Sequence, residues 1–240
     1  MNFEKEKTDA FGKLIEQAED IVLFGHFNPD GDAIGSTLGL YHYLADMGKK
    51  VCIIYPNECP AATMIYLDGI DYIIFSNGEK SARYRIKHAD LLICADFATY
   101  SRTCEQIEEY IGKNDCPKIM IDHHENPEHN GLLFSDPHAS STCELVYKIL
   151  SSYDKTHITL SCATALYMGI CTDTGSFSHS CSRRGLKSDT TRPLLQTDNP
   201  KQKIIDMLKN REEKYQSAAH RVIEVDNKSI TEIIQEINRN

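Results

Sequence analysis

Long apolar runs are what this chain most plainly lacks. No stretch of its 240 residues approaches the roughly eighteen uninterrupted apolar positions of a membrane span, and Met1-Asn2-Phe3-Glu4-Lys5 does not open a signal peptide. A cytoplasmic protein with no membrane partner is the expectation. Paired cysteines are also missing. The nine cysteines are odd in number, contain no Cys-x-x-Cys and mostly sit in apolar segments such as Leu91-Leu92-Ile93-Cys94. That spacing excludes a zinc ribbon or disulfide framework and predicts buried, reduced thiols. Basic excess is absent too. A formal charge of -9 excludes the broadly cationic surface of a duplex-binding protein, so an anionic ligand needs a local remedy, which bound cations would provide. With 41% hydrophobic and 25% charged residues, the chain still has ample material for a core.

Short runs of Ile, Val and Leu recur at 21–25, 51–55, 72–75, 91–95 and 118–121. Apolar on successive positions, they suit strands buried on both faces. Between the first two lies 33–47, with Ile34, Leu38, Tyr41 and Leu44 at helical spacing and Gly48 as a stop. Strand, helix and strand in that order predict an α/β fold, a parallel β-sheet flanked by helices with right-handed crossovers. Two further helices are predicted over 141–151 and 159–172. After Cys181 the character changes. Residues 182–200 are polar and read as a linker, 201–210 as a short helix, and Ser229-Ile230-Thr231-Glu232 as a capping box opening a C-terminal helix. That helix carries Ile230, Ile233, Ile234 and Ile237 on one face, to be packed on the main domain or on another chain, as a homodimer would allow. The expected division is therefore 1–181 and a helical tail over 182–240.

Parallel sheets bind ligands at the carboxyl ends of their strands. Reading there, the first strand is followed by His26-Phe27-Asn28-Pro29-Asp30-Gly31-Asp32-Ala33-Ile34-Gly35-Ser36, the fourth by Asp96 and the fifth by Asp122-His123-His124. Asp173 ends the second late helix. Taken singly, each has an ordinary explanation: Asn28-Pro29 and Asp30-Gly31 as turns, Asp96 as a cap, the histidines as surface groups, and Asp173-Thr174-Gly175 as an aspartic-protease triplet without the rest of that fold. Together they make a mixed carboxylate and imidazole set without thiolate, which favours manganese or magnesium over structural zinc. Several carboxylates also allow one to bridge two cations about 3.5–4 Å apart.

This combination resembles the signature of the DHH phosphoesterase superfamily, which includes RecJ-type exonucleases, family II pyrophosphatases, cyclic dinucleotide phosphodiesterases and nanoRNase/pAp phosphatases. The wording from Asn28 to Ser36 is most similar to the last branch, over about residues 21–180. The resemblance implies a hydrolase with two divalent cations, manganese with magnesium as the alternative. His26, Asp30 and Asp96 would hold one, and Asp32, Asp96, His123 and Asp173 the other, with Asp96 as bridge. His124 would meet the scissile phosphate and Asp122 would orient a histidine. Asn28, Ser36 and Arg102 are expected substrate contacts, with Ser36 equally placed for a capping or packing role.

The implied substrates are short single-stranded RNA or the small nucleotide 3'-phosphoadenosine 5'-phosphate (pAp). Rival readings are hydrolysis of a cyclic dinucleotide or pyrophosphate, and a metal-binding module without turnover. One departure stands out: the family's second, substrate-binding domain carries a Gly-Gly-Gly-His segment that this sequence does not contain, and that domain is expected to be absent.

Overall fold

The computed structural model describes residues 5–57, 67–76, 80–128 and 130–176. The chain divides into two compact units, Met1–Arg183 and Arg184–Asn240. The expected linker and helical tail over 182–240, with the isoleucine stripe and the homodimer it would allow, lie outside the described residues.

Six strands form one sheet: β1 (Asp20–Phe24), β2 (Lys50–Tyr55), β3 (Ile73–Phe75), β4 (Leu91–Ala95), β5 (Lys118–Asp122) and β6 (Leu132–Ser135). Their order is β3-β2-β1-β4-β5-β6 and every pairing is parallel. The α/β reading holds, and five of the strands are the apolar runs of the sequence. β6 is an addition. It has only four residues, and it reaches the sheet because Gly131 lies against β5, where a Cβ would stand 2.2 Å from the Lys118 carbonyl oxygen.

Alternating side chains divide two cores between the sheet's faces. Ile21, Leu23, Leu91, Ile93 and Ala95 join one cluster with Phe11, Leu38, Leu145 and Ile149. Its helices are α1 (Lys5–Gln17), α2 (Gly31–Asp46), α5 (Thr142–Tyr153) and α6 (Leu160–Asp173). Val22, Phe24, Leu92, Cys94 and Met120 join the other, with Ala82, Ile86, Ile107 and Ile111 from α3 (Lys80–Lys87) and α4 (Glu105–Lys113).

Helix α2 is buried along its first ten residues. It needs small residues to lie so close to α6: a Cβ on Gly39 would stand 2.4 Å from Leu166, and one on Gly35 2.6 Å from the Ala165 carbonyl oxygen. Cys52, Cys94, Cys143 and Cys162 are buried free thiols, whereas Cys104, Cys116 and Cys171 are half-buried. Burial pushes the Cys94 and Cys162 thiols up to about 12. Cys59 and Cys181 fall outside the described residues.

Candidate metal centre

The sheet order reverses at β1, which has β2 on one side and β4 on the other. Crevices at such switch points are where parallel sheets bind ligands. The loop after β1 runs from His26 to Asp30, which caps α2 by accepting the backbone N–H groups of Asp32 and Ala33, both at 3.0 Å. The helix therefore begins at Gly31, two residues earlier than the apolar pattern suggests. Asn28 adopts a left-handed conformation with φ of 55°. Its N–H donates to Asn57 Oδ1 at 2.7 Å, and its own Oδ1 accepts from Asn57 Nδ2 at 3.0 Å.

After β4, Asp96 also turns left-handed, with φ of 67°, while its N–H still donates to the Ile121 carbonyl of β5. Such a conformation costs a non-glycine residue about 1–3 kcal/mol and persists where surroundings impose it. Here it puts the Asp96 carboxylate between two histidines. His26 Nε2 is 3.8 Å from Asp96 Oδ2 and 3.9 Å from Asp30 Oδ1. His123 Nε2 is 3.7 Å from Asp96 Oδ1, 3.8 Å from Asp32 Oδ2 and 3.7 Å from Asp173 Oδ2.

These separations are too long for hydrogen bonds. They suit ligands of a common ion, because donors about 2.1 Å from a cation stand roughly 3.0–3.7 Å apart at angles of 90–120°. The tautomers agree. His26 Nδ1 lies 2.8 Å from the Phe27 carbonyl oxygen, which can only accept, so the proton sits on Nδ1 and the Nε2 lone pair faces the carboxylates.

Electrostatics point the same way. Burial and the facing charges of Asp32 and Asp30 push the Asp96 carboxyl well above the usual range. Asp173 is raised by burial and by Asp32. Mutually repelling carboxylates around two imidazoles need positive charge to ionise together, and the donor set fits hard divalent cations.

His124 lies at the edge of this convergence, a ring nitrogen within 4.8 Å of donor atoms of Asp96 and His123, but it has a hydrogen-bond partner of its own. Its Nδ1 is 2.7 Å from Asp122 Oδ1, and that hydrogen bond raises its pKa above that of a free histidine. Asp122 is fully buried and its Oδ2 has no hydrogen-bond partner, so its charge is directed at His124 alone among its side-chain contacts described. His124 is 48% exposed.

The expected substrate contacts fare differently. Ser36 is not at the helix start; it lies in the second turn of α2, fully buried, its hydroxyl donating to the Ala33 carbonyl at 3.0 Å. The two-residue difference in the helix start, about half a turn, accounts for the displacement. Arg102 is exposed, its carbonyl accepts from Phe27 N–H at 2.7 Å, and its charge lowers the His124 pKa. Sequence reasoning did not find Thr142 or Cys143, whose groups hold Asp32 and Asp96 from the start of α5. A distinct cavity of about 490 Å³ lies between α3 and α4, lined in part by Arg83, Tyr110 and Lys113.

Fold and centre together define a parallel α/β protein with a carboxylate and imidazole site at its switch point. The chain belongs to the DHH family, whose N-terminal domain matches residues 20–170. Cyclic-di-AMP phosphodiesterase GdpP of Bacillus subtilis is 29% identical over 181 residues, covering 70% of this chain and 27% of the relative. Bifunctional oligoribonuclease and PAP phosphatase NrnA of Thermus thermophilus is 29% identical over 180 residues, covering 72% of this chain and 49% of the relative. The chain thus spans about a quarter of the one and about half of the other. An exopolyphosphatase-related protein from Bacteroides fragilis superposes with a TM-score of 0.73 at 30% identity, over 92% of this chain and 62% of that one.

Residues 176–240 match a different family, shikimate kinase. The shikimate kinase of Acinetobacter baylyi is 43% identical over 51 residues, 21% of this chain and 28% of that enzyme. The polar and helical patterns from which 182–240 reads as linker and tail carry no sign of this likeness.

Proposed function

We propose that this chain is a metal-dependent phosphoesterase acting on short oligoribonucleotides or pAp, with two divalent cations, manganese in the first place. The observation that carries this reading is the Asp96 carboxylate, one oxygen of which faces His26 and the other His123, at 3.8 and 3.7 Å. His26 and Asp30 would hold one cation, Asp32, His123 and Asp173 the other, and Asp96 both. When bound, two such cations neutralise phosphate charge and make water acidic enough to attack at neutral pH.

The chain's own residues do the rest. His124 holds its Nδ1 hydrogen bond to Asp122, which leaves Nε2 as the nitrogen to meet a substrate. The Asp122 hydrogen bond raises its pKa above that of a free histidine, and Nε2–H would donate to a phosphoryl oxygen or protonate the leaving alcohol. Asn28 lies in the His26–Asp30 loop and Arg102 is tied to it through the Phe27 N–H, where both would meet the rest of the substrate. The names of NrnA and GdpP support the nucleotide class. Among the described residues no helix is long and apolar enough to cross a membrane.

The test is a panel of bis-p-nitrophenyl phosphate, pAp, an RNA trimer, cyclic-di-AMP and pyrophosphate under manganese. Cleavage of bis-p-nitrophenyl phosphate reports the chemical step, and turnover of pAp or the trimer above cyclic-di-AMP and pyrophosphate is expected. Preference for cyclic-di-AMP or pyrophosphate would replace the substrate assignment, and metal binding without any turnover would leave a binding module.

A further inference from the structure

The first turn of α5 does more than start a helix. Ser141 caps it by accepting the Glu144 N–H at 3.1 Å, and the Glu144 carboxylate takes the Ser140 N–H and hydroxyl, both at 2.7 Å. With the turn fixed from both sides, its next groups are spent on carboxylates from two other elements. Thr142 N–H donates to Asp32 Oδ2 at 2.6 Å and Cys143 N–H to Asp32 Oδ1 at 2.9 Å. The Thr142 hydroxyl donates to Asp96 Oδ1 at 2.8 Å. Thr142 and Cys143 are fully buried, so no water competes for these bonds.

We infer that Thr142 is a positioning residue for the two-metal centre: its hydroxyl fixes the rotation of the Asp96 carboxylate while its amide, with that of Cys143, fixes Asp32. Carboxylates reach the same centre from β4 and from α2, and nothing in either element alone sets the distance between them. Thr142 is the residue that touches both. Holding Asp96 Oδ1 at its hydroxyl leaves that oxygen a second lone pair toward His123 and leaves Oδ2 toward His26. Without that hydrogen bond the carboxylate is free to rotate, and the geometry that serves two ions is lost before the capacity to bind one. Partners of this kind typically govern about 10–100-fold in metal affinity.

This inference rests on the metal reading above, and the experiment separates the two. The full chain is stripped of metal and titrated with manganese alone, following free ion and the spin-coupled pair signal by electron paramagnetic resonance, with Thr142→Val and Thr142→Ser in parallel. Val keeps the branched shape and removes the hydroxyl; Ser keeps the hydroxyl and removes the methyl. The expected result is two coupled ions in wild type and Thr142→Ser, but in Thr142→Val a second ion at least about 10-fold weaker and a lost pair signal. Thr142→Ala carries the same prediction if the valine variant does not fold. Wild-type affinity and coupling in the valine or alanine variant would overturn the inference alone, as would equal loss in the serine variant, which would assign the effect to packing. A wild type that binds no manganese would overturn the metal reading itself.

Discussion

At the scale of single residues, adjacent histidines have been given different work. His123 faces three carboxylates, whereas His124 is hydrogen-bonded to one and exposed. We predict that His124→Ala lowers turnover by about 10²–10⁴-fold, the range of a lost general acid, with manganese stoichiometry unchanged. Equilibrium dialysis beside the rate assay checks this, and a variant that loses metal and rate together would make His124 a ligand. Asp96→Asn keeps the shape but removes the charge between the two donor groups. It is expected to bind at most one manganese ion per chain and to lose at least about 100-fold in rate; intact stoichiometry would remove Asp96 from the bridging position. That these residues would converge was legible because each candidate sits at a strand end or helix end. Thr142 was not, because Ser-Thr-Cys-Glu is indistinguishable from a cap until the chain folds and Asp32 arrives from 110 residues away.

Among elements, the contact of α2 with α6 carries the site, since Asp32 lies at the start of one and Asp173 at the end of the other. Replacing a helical glycine by alanine ordinarily gains up to about 1 kcal/mol. At Gly112 in α4 a Cβ meets nothing within 4 Å, and that gain is expected. At Gly35 the new Cβ meets a backbone carbonyl at 2.6 Å, which cannot rotate away, so overpacking by about 1–3 kcal/mol should win. Urea midpoints of Gly35→Ala and Gly112→Ala should therefore move in opposite directions, and a stabilised Gly35→Ala would show that α2 and α6 can part at little cost.

Asp90 supplies a pH test at the start of the sheet. It accepts the N–H groups of Asp20 and Glu19 at 3.0 and 3.1 Å, and these bonds lower its pKa. Because the folded value is depressed, its contribution is full above the unfolded value near about 3.9 and is lost as pH falls through the folded one. Asp90→Asn should thus flatten part of the stability loss below about pH 4, by a small amount because the carboxylate is exposed; an unchanged acid profile would contradict the assignment. Five apolar runs announced their strands, while β6 did not, with three of its four residues partly exposed. Helices α1, α3 and α4 also escaped: α3 and α4 are short, and all three are rich in charged residues with few apolar ones to mark a face.

For the whole molecule, the sequence divides into a DHH part and a segment like shikimate kinase; the candidate ligands lie within the first except Asp173, which falls between the two matches. The small-molecule chemistry is therefore expected to need only residues 26–173, whereas a nucleotide chain would also need remote contacts to orient it. With a net charge of -9, the surface offers a phosphate backbone little beyond the centre itself. We accordingly expect poor affinity for an RNA trimer beside efficient cleavage of a small diester; tight, saturable trimer cleavage by the 240-residue chain would overturn that.

The central claim is that carboxylates and imidazoles at one switch point bind two cations that enable hydrolysis. Its most direct test is to strip the full chain of metal and restore manganese stepwise, recording bound ions per chain and the hydrolysis of bis-p-nitrophenyl phosphate in the same samples. Activity should be absent without metal, remain low at one ion per chain and rise as the second binds. Full activity in the stripped protein, or a maximum reached at one ion, would contradict it.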